Sequence, residues 1–194
     1  MENNRELPLA MQDLYPDRPL MRWLMKTPTL TWRLGLGPLT GKIFLLLTTT
    51  GRKSGQPRRT MLEYFNLEGH KYVVSAFGER SDWYRNLLQN TRVTIQTSDG
   101  TQSAYAVRVT DADELWEVLQ GYMRHDPPLT SWYLKSNGVE YNREAVIEAR
   151  ARLHLIRFDP RPDAAPSGQE VDLAWIWPLT LLVIALGYLL GKKR

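Results

Sequence analysis

The chain has 194 residues, with 25 Lys and Arg against 21 Asp and Glu for a formal net charge of +4. That length suits one domain with an ordinary core and short appendages, and the mild charge excess suits an anionic small molecule or a membrane surface as well as nucleic acid. No cysteine is present, which excludes disulfides, thiolate catalysis, zinc–thiolate sites and iron–sulfur clusters and leaves redox chemistry to a bound organic cofactor.

Residues 1–41 read as an N-terminal helical segment. The opening MENNRELPLAMQDLYP has no apolar h-region behind Arg5, so no secretory signal is expected. Leu20, Trp23, Leu24, Leu30, Trp32 and Leu34 then recur at broken helical spacing around Pro28, which predicts one or two short amphipathic helices. Strands are predicted at about 42–50, 58–66, 71–77, 92–98, 102–110 and 152–158. Asp99-Gly100 supplies hairpin chemistry between the fourth and fifth. Helices are predicted at about 82–90 and 112–124, the latter opened by a capping box of Asp111 and Glu114, with one or two more across 129–150. Six strands joined mainly by hairpins, with helices at the periphery, make residues 42–160 an α+β domain on an antiparallel sheet or small barrel.

Residues 161–172 are rich in Pro, Gly and small polar residues and read as a semi-extended linker. From Leu173 to Leu190 the chain carries no charge over 18 residues. As a helix it would measure about 27 Å against a bilayer core of roughly 30 Å. Residues 173–191 are therefore predicted to be a single-pass transmembrane anchor. With no signal sequence in front, the cell-membrane protein would keep the domain before the anchor in the cytoplasm. The plainer alternative is a buried C-terminal core or dimer helix.

The segment from Phe44 to Arg59, FLLLTTTGRKSGQPRR, runs a buried-strand pattern into a glycine-bracketed loop carrying Arg52, Lys53, Arg58 and Arg59 and no acid. Such a loop can hold phosphate or carboxylate, since Arg forks onto these groups and glycine lets backbone N–H approach them; a solvated basic hairpin is an equal alternative. A second element follows, with Tyr72 to Gly78 ending a strand in small residues and Trp83 and Asn86 sharing one helix face. That pair can form a shelf for a flat ring, although Trp83 fits a plain core position better on spacing alone. The run Gly35 to Lys42 fails as a phosphate loop because Leu36 stands where glycine is needed and Ile43 replaces the Ser or Thr. His70, His125 and His154 are scattered, so no metal site is predicted. No Gly-x-Ser-x-Gly elbow occurs, and the basic loop lacks the interleaved aromatics of a nucleic-acid platform.

Together, LLLTTTGRKSGQPR, Tyr64, YVVSAFG and WYRNL resemble the deazaflavin (F420)-dependent nitroreductase family over about residues 33–160. The resemblance implies a six-stranded split β-barrel with flanking helices and the cofactor coenzyme F420, an 8-hydroxy-5-deazaflavin, with FMN as the alternative. It implies that Arg52, Lys53 and Arg58, with Ser54, Gly55 and Pro57 shaping their loop, hold the anionic coenzyme tail. Met61, Tyr64, Ser75, Ala76, Phe77, Gly78, Trp83 and Asn86 would line the ring. Family members commonly read Ser-Lys-Gly-Gly where this chain has Ser75-Ala76-Phe77-Gly78, so one lysine is missing, and Arg80 is the nearest cation in sequence. The expected function is hydride transfer from the reduced coenzyme to a small-molecule quinone, nitro or activated-alkene acceptor at the membrane, with Tyr133 and Tyr122 as candidate proton donors. The rivals are a non-catalytic flavin- or lipid-binding protein at the membrane and an FMN-dependent reductase. No nucleic-acid partner is expected, and a homodimer is allowed.

Overall fold

A computed structural model describes residues 29–162 and 165–191. The predictions on Leu20, Trp23 and Leu24 lie outside these residues. Leu30, Trp32 and Leu34 begin the described part, in and just after a short helix α1 (Leu30–Arg33) that is followed by α2 (Gly37–Thr40). The strands are β1 (Phe44–Thr50), β2 (Pro57–Glu63), β3 (Phe65–Leu67), β4 (His70–Val74), β5 (Arg92–Thr97), β6 (Gly100–Arg108) and β7 (Leu155–Pro160). Helices α3 (Asp82–Gln89), α4 (Ala112–His125), α5 (Pro127–Ser136) and α6 (Arg143–Glu148) intervene, and α7 (Ile176–Gly191) closes the described chain.

The sheet has seven strands, in the order β2-β1-β5-β6-β7-β4-β3, where six were expected. The difference is one bend. The run expected as a single strand at 58–66 breaks at Tyr64: β2 pairs with β1, while β3 pairs with β4 at the opposite edge. Two sheet edges joined through one residue force the sheet to curl into a half-barrel, and every pairing in it is antiparallel.

Pleating sends alternate side chains to opposite faces. On the inner face Leu45 and Leu47 of β1 pack with Val73, Val93, Ile95, Ile156 and Phe158, and α3 closes that core with Trp83, Tyr84 and Leu87. On the outer face α4, α5 and α6 bury Leu115, Val118, Leu119, Tyr122, Tyr133, Leu134 and Val146 against Tyr72 and Leu155. Helix α4 can lie this close because residue 121 is glycine; a Cβ there would stand 2.3 Å from the Phe65 ring. Its start is capped as predicted, Asp111 accepting from the backbone N–H of Asp113 and Glu114. The Glu114 carboxylate instead accepts from Tyr72 Oη at 3.0 Å and Arg157 Nη1 at 2.7 Å, tying α4 to the sheet.

The expected six-stranded barrel with a transmembrane helix is corrected on its second point as well. Among the described residues no helix is long and apolar enough to cross a membrane. Helix α7 has 16 residues, or about 24 Å at 1.5 Å per residue. The first residues of the uncharged run are used in a turn against α1, where Leu173 N–H donates to Arg33 O and Trp177 Nε1 donates to Leu34 O. The anchor, and with it the cell-membrane location, is therefore not supported.

The segment predicted as a linker lies along the outer face of the sheet. Leu46 pairs with Met61 on one side and Gln96 on the other, and Thr48 likewise with Arg59 and Thr94, so all six share that face. Gln96 exchanges two hydrogen bonds with the Gln169 backbone, Thr94 Oγ1 donates to Pro166 O, and Arg59 Nη2 donates to Gly168 O. This explains why β1 is buried on both faces.

Candidate functional site

The turn between β1 and β2 is closed by its own backbone. The Gly51 carbonyl accepts from Ser54 N and Gly55 N, and Gly51 N–H donates to Gln56 O. Gly55 has φ +67°, with open space where a Cβ would point. That conformation favours glycine.

The turn is held to α3 by Arg52. Its N–H and Nη1 both donate to Asn86 Oδ1 (3.2 and 3.1 Å), and its Nη2 lies 2.9 Å from Asp82 Oδ1. Asn86 Nδ2 donates in turn to Thr49 Oγ1, and Thr49 Oγ1 donates to Arg58 O. Arg52 and Asn86, both expected to touch coenzyme, hold each other and so fix the loop. The Lys53 and Arg58 side chains are left over: among the described residues neither meets a carboxylate, and Arg58 only donates to Ser54 Oγ at 3.2 Å.

A cavity of about 930 Å³ opens beside this turn, lined by Arg33, Arg52, Lys53, Arg58, Arg59 and Arg85 with Ser54, Pro57, Trp83, Asn86 and Gln169. Six cations face it against two acids, Asp82 and Asp172. Asp82 bridges Arg52 and Arg85, and Asp172 pairs with Arg33 at 2.7 Å; that pairing holds the exposed Asp172 carboxyl below its ordinary range. Arg59 Nε is buried there with no hydrogen-bond partner among the described residues. An excess of uncommitted guanidinium and ammonium donors fits a polyanionic group such as a phosphate and carboxylate tail. Arg85 joins this wall and Arg80 does not. Arg59 was read among the cations of the turn, whereas Arg33 and Arg85 were not expected at the site. Arg85 stands inside the quoted WYRNL motif, but nothing in its spacing distinguishes it from a solvated neighbour.

A second cavity, of about 200 Å³, is lined by Met61, Leu62, Glu63, Val74, Ala76, Leu119, Tyr122, Leu129, Thr130 and Tyr133. Its walls are apolar except for four groups. Tyr122 Oη donates to Tyr72 O at 2.7 Å, and Tyr133 Oη accepts from His154 N at 3.0 Å. Burial pushes both phenols well above their usual range. Thr130 Oγ1 donates to Asp126 O. Burial also pushes the Glu63 carboxyl up, with the Asp126 charge adding to it and His125 opposing.

Consecutive residues of β2 point to opposite faces, yet Pro57 to Thr60 all line the first cavity and Met61 to Glu63 all line the second. Both cavities therefore wrap the edge of β2 that pairs with no strand among the described residues. Of the other expected ring contacts, Tyr64 donates its hydroxyl to Gly41 O. Ser75 Oγ donates to Gly78 O in a buried turn, and Phe77 packs at the margin of the outer core. None of these four lines either cavity. Trp83 is both core and wall: it packs edge-on against Tyr84 at 5.9 Å and faces the cationic cavity. No cluster of metal-ligating residues occurs among the described residues.

Comparison with known proteins adds the family. Among solved structures, the chain is similar to an F420-H2 dependent reductase, FDR-A, at 20% identity over 61% of this chain and 95% of that one, with a TM-score of 0.47. It is similar to a protein described as a domain-swapped dimer at 18% identity over 72% and 99%, TM-score 0.49. The heme storage protein HutZ from Vibrio cholerae matches at 16% over 75% and 97%, TM-score 0.45. The family model for F420H(2)-dependent quinone reductase matches residues 33–129, half of the chain, and takes in β1 to β6, the cationic turn, α3 and most of the lining of both cavities. The chain belongs to the F420H(2)-dependent quinone reductase family and is an F420-dependent oxidoreductase.

Proposed function

We propose that this oxidoreductase reduces a quinone, with the coenzyme laid along the edge of β2 that faces away from β1. The observation that carries the reading is the change in chemistry along one strand. Over Pro57–Glu63, roughly 20 Å at 3.3 Å per residue, its edge passes from a cavity with six cations to one walled by Met, Leu, Val and Ala. A ligand with an anionic tail and a flat apolar ring matches that gradient. Lys53, Arg58, Arg59 and Arg85 would hold the phosphate and carboxylates of F420, with the Arg52–Asn86 clamp keeping the turn in place. Trp83, Met61 and Ala76 would flank the ring, and the apolar cavity beyond would take the acceptor, excluding water from the exchange. When bound in reduced form, the coenzyme supplies the hydride, and the protein supplies position, charge and protons.

A flat, uncharged quinone suits an apolar pocket with a few polar groups. Turnover of F420H2 with 1,4-naphthoquinone, compared with a nitroarene and an activated alkene, tests this reading. The expected result is the highest kcat/KM with the quinone; turnover of only the other two would overturn it.

A further inference from the structure

We propose that Glu63 is the acid that delivers the second hydrogen to the quinone. The inference rests on the quinone reading above. Glu63 sits at the end of β2 in the apolar cavity, and among the described residues its carboxyl has no hydrogen bond or ion pair. Of the other protic groups of the cavity, Tyr122 donates to the Tyr72 carbonyl and Thr130 to the Asp126 carbonyl, while Tyr133 accepts from the His154 backbone N–H and keeps its own proton, which burial makes harder to lose. Glu63 is the carboxyl in that lining, and it has no partner among the described residues.

The stoichiometry needs such a group. Hydride from the reduced coenzyme brings the quinone both electrons and one hydrogen, leaving a quinol monoanion. The Glu63 O–H bond then breaks as a new O–H bond forms on the anionic quinol oxygen, and water reloads the carboxylate. The proton released from the oxidised coenzyme leaves to solvent, so F420H2 and quinone give F420 and quinol. A carboxyl serves as an acid only while protonated. Burial and the Asp126 carboxylate at the start of α5 favour that form, His125 at the end of α4 opposes it, and the phenols of Tyr122 and Tyr133 are neutral near pH 7. Phe44, the β1 residue paired with Glu63, carries no charge.

The test uses the full chain with Glu63→Gln and Glu63→Asp, and three measurements. Fluorescence titration reports coenzyme F420 binding, and kcat with 1,4-naphthoquinone is followed against pH. Infrared difference spectra of the coenzyme-free protein, with and without naphthoquinone, report a protonated carboxyl. The expected result is unchanged F420 affinity in both variants and a fall in kcat of about 100-fold in Glu63→Gln, as for loss of a general acid. The parent's decline in rate with rising pH should disappear in that variant, and Glu63→Asp should restore part of the rate. A carboxyl carbonyl band that titrates above the usual glutamate range, shifts with naphthoquinone and is missing in Glu63→Gln should accompany these changes. Parent-like kcat and pH profile in Glu63→Gln, or no such band in the parent, would overturn the assignment while leaving the quinone reading intact. Failure of the parent to reduce naphthoquinone would overturn both. Should Glu63→Gln not fold, the Glu63→Asp profile and the parent's band decide.

Discussion

Arg52 and Lys53 are neighbours in the same turn, yet their side chains do different work. Arg52 is tied to Asn86 and Asp82, whereas Lys53 has no carboxylate partner among the described residues. Replacing Lys53 or Arg58 by Ala should therefore weaken F420 binding by about 1–3 kcal/mol each, the range for a charge-assisted hydrogen bond, with little change in thermal stability. Asn86→Ala should instead destabilise the fold by about 1–3 kcal/mol, because the Arg52 N–H would lose an acceptor and the Thr49 hydroxyl oxygen a donor. Coenzyme titrations set beside denaturant unfolding of the three variants check the division; equal losses of stability across them would contradict it. That the turn is cationic and free of acids is legible in the sequence. Which of four cations is free does not show there, because it depends on Asp82 and Asn86 returning from α3, thirty residues away.

Among the elements, α4 is fastened to the sheet by Glu114, which accepts from Tyr72 and Arg157, while Arg157 also pairs with Asp159 on its own strand at 2.6 Å. The Arg157 hydrogen bond holds the Asp159 carboxyl below its ordinary range, and desolvation with the Glu114 bond pushes Tyr72 up to about 12. A depressed carboxyl contributes stability that is present above its unfolded value, near 4, and is lost as pH falls through the folded value. Acid titration of unfolding should show that loss in the parent and a shallower one in Asp159→Asn; identical pH slopes would remove Asp159 from the account. The Asp111 cap of α4 was legible because a cap is local. The destination of Glu114 was not, since it depends on Tyr72 and Arg157 lying side by side in paired strands.

A similar non-local contact governs the segment after β7. Its Pro, Gly and small polar residues describe an extended chain correctly but say nothing of what it touches. Gln96 holds it through two bonds to the Gln169 backbone, and a Cβ on Gly168 would stand 2.9 Å from the Gln96 amide. Gln96→Ala should speed proteolytic cleavage near 165–172 while leaving the sheet folded, as limited proteolysis followed by mass spectrometry would report; an unchanged cleavage rate would count against this anchoring.

At the scale of the whole molecule, the antiparallel sheet, its hairpins and the order of helices could be read from periodicity. The strand count and the fate of the uncharged C-terminal run could not. Tyr64 lies between two equally strand-like stretches, and only the pairing of each with a different edge separates β2 from β3. Residues 173–175 are as apolar as the helix that follows, and only the turn against Arg33 and Leu34 removes them from it. The same curl that divides β2 from β3 leaves β2 paired with β1 alone among the described residues, and the proposed function depends on its other edge. The most direct test is a pair of titrations, with F420 and with the deazaflavin ring lacking its phosphate and glutamate tail, on the parent and on a Lys53→Ala, Arg58→Ala double variant. The double variant should lose about 2–6 kcal/mol of F420 affinity if the two single effects add, while its affinity for the tail-less ring stays at the parent value. Equal F420 affinity in the two proteins, or an equal loss for both ligands, would contradict a tail held at the β1–β2 turn.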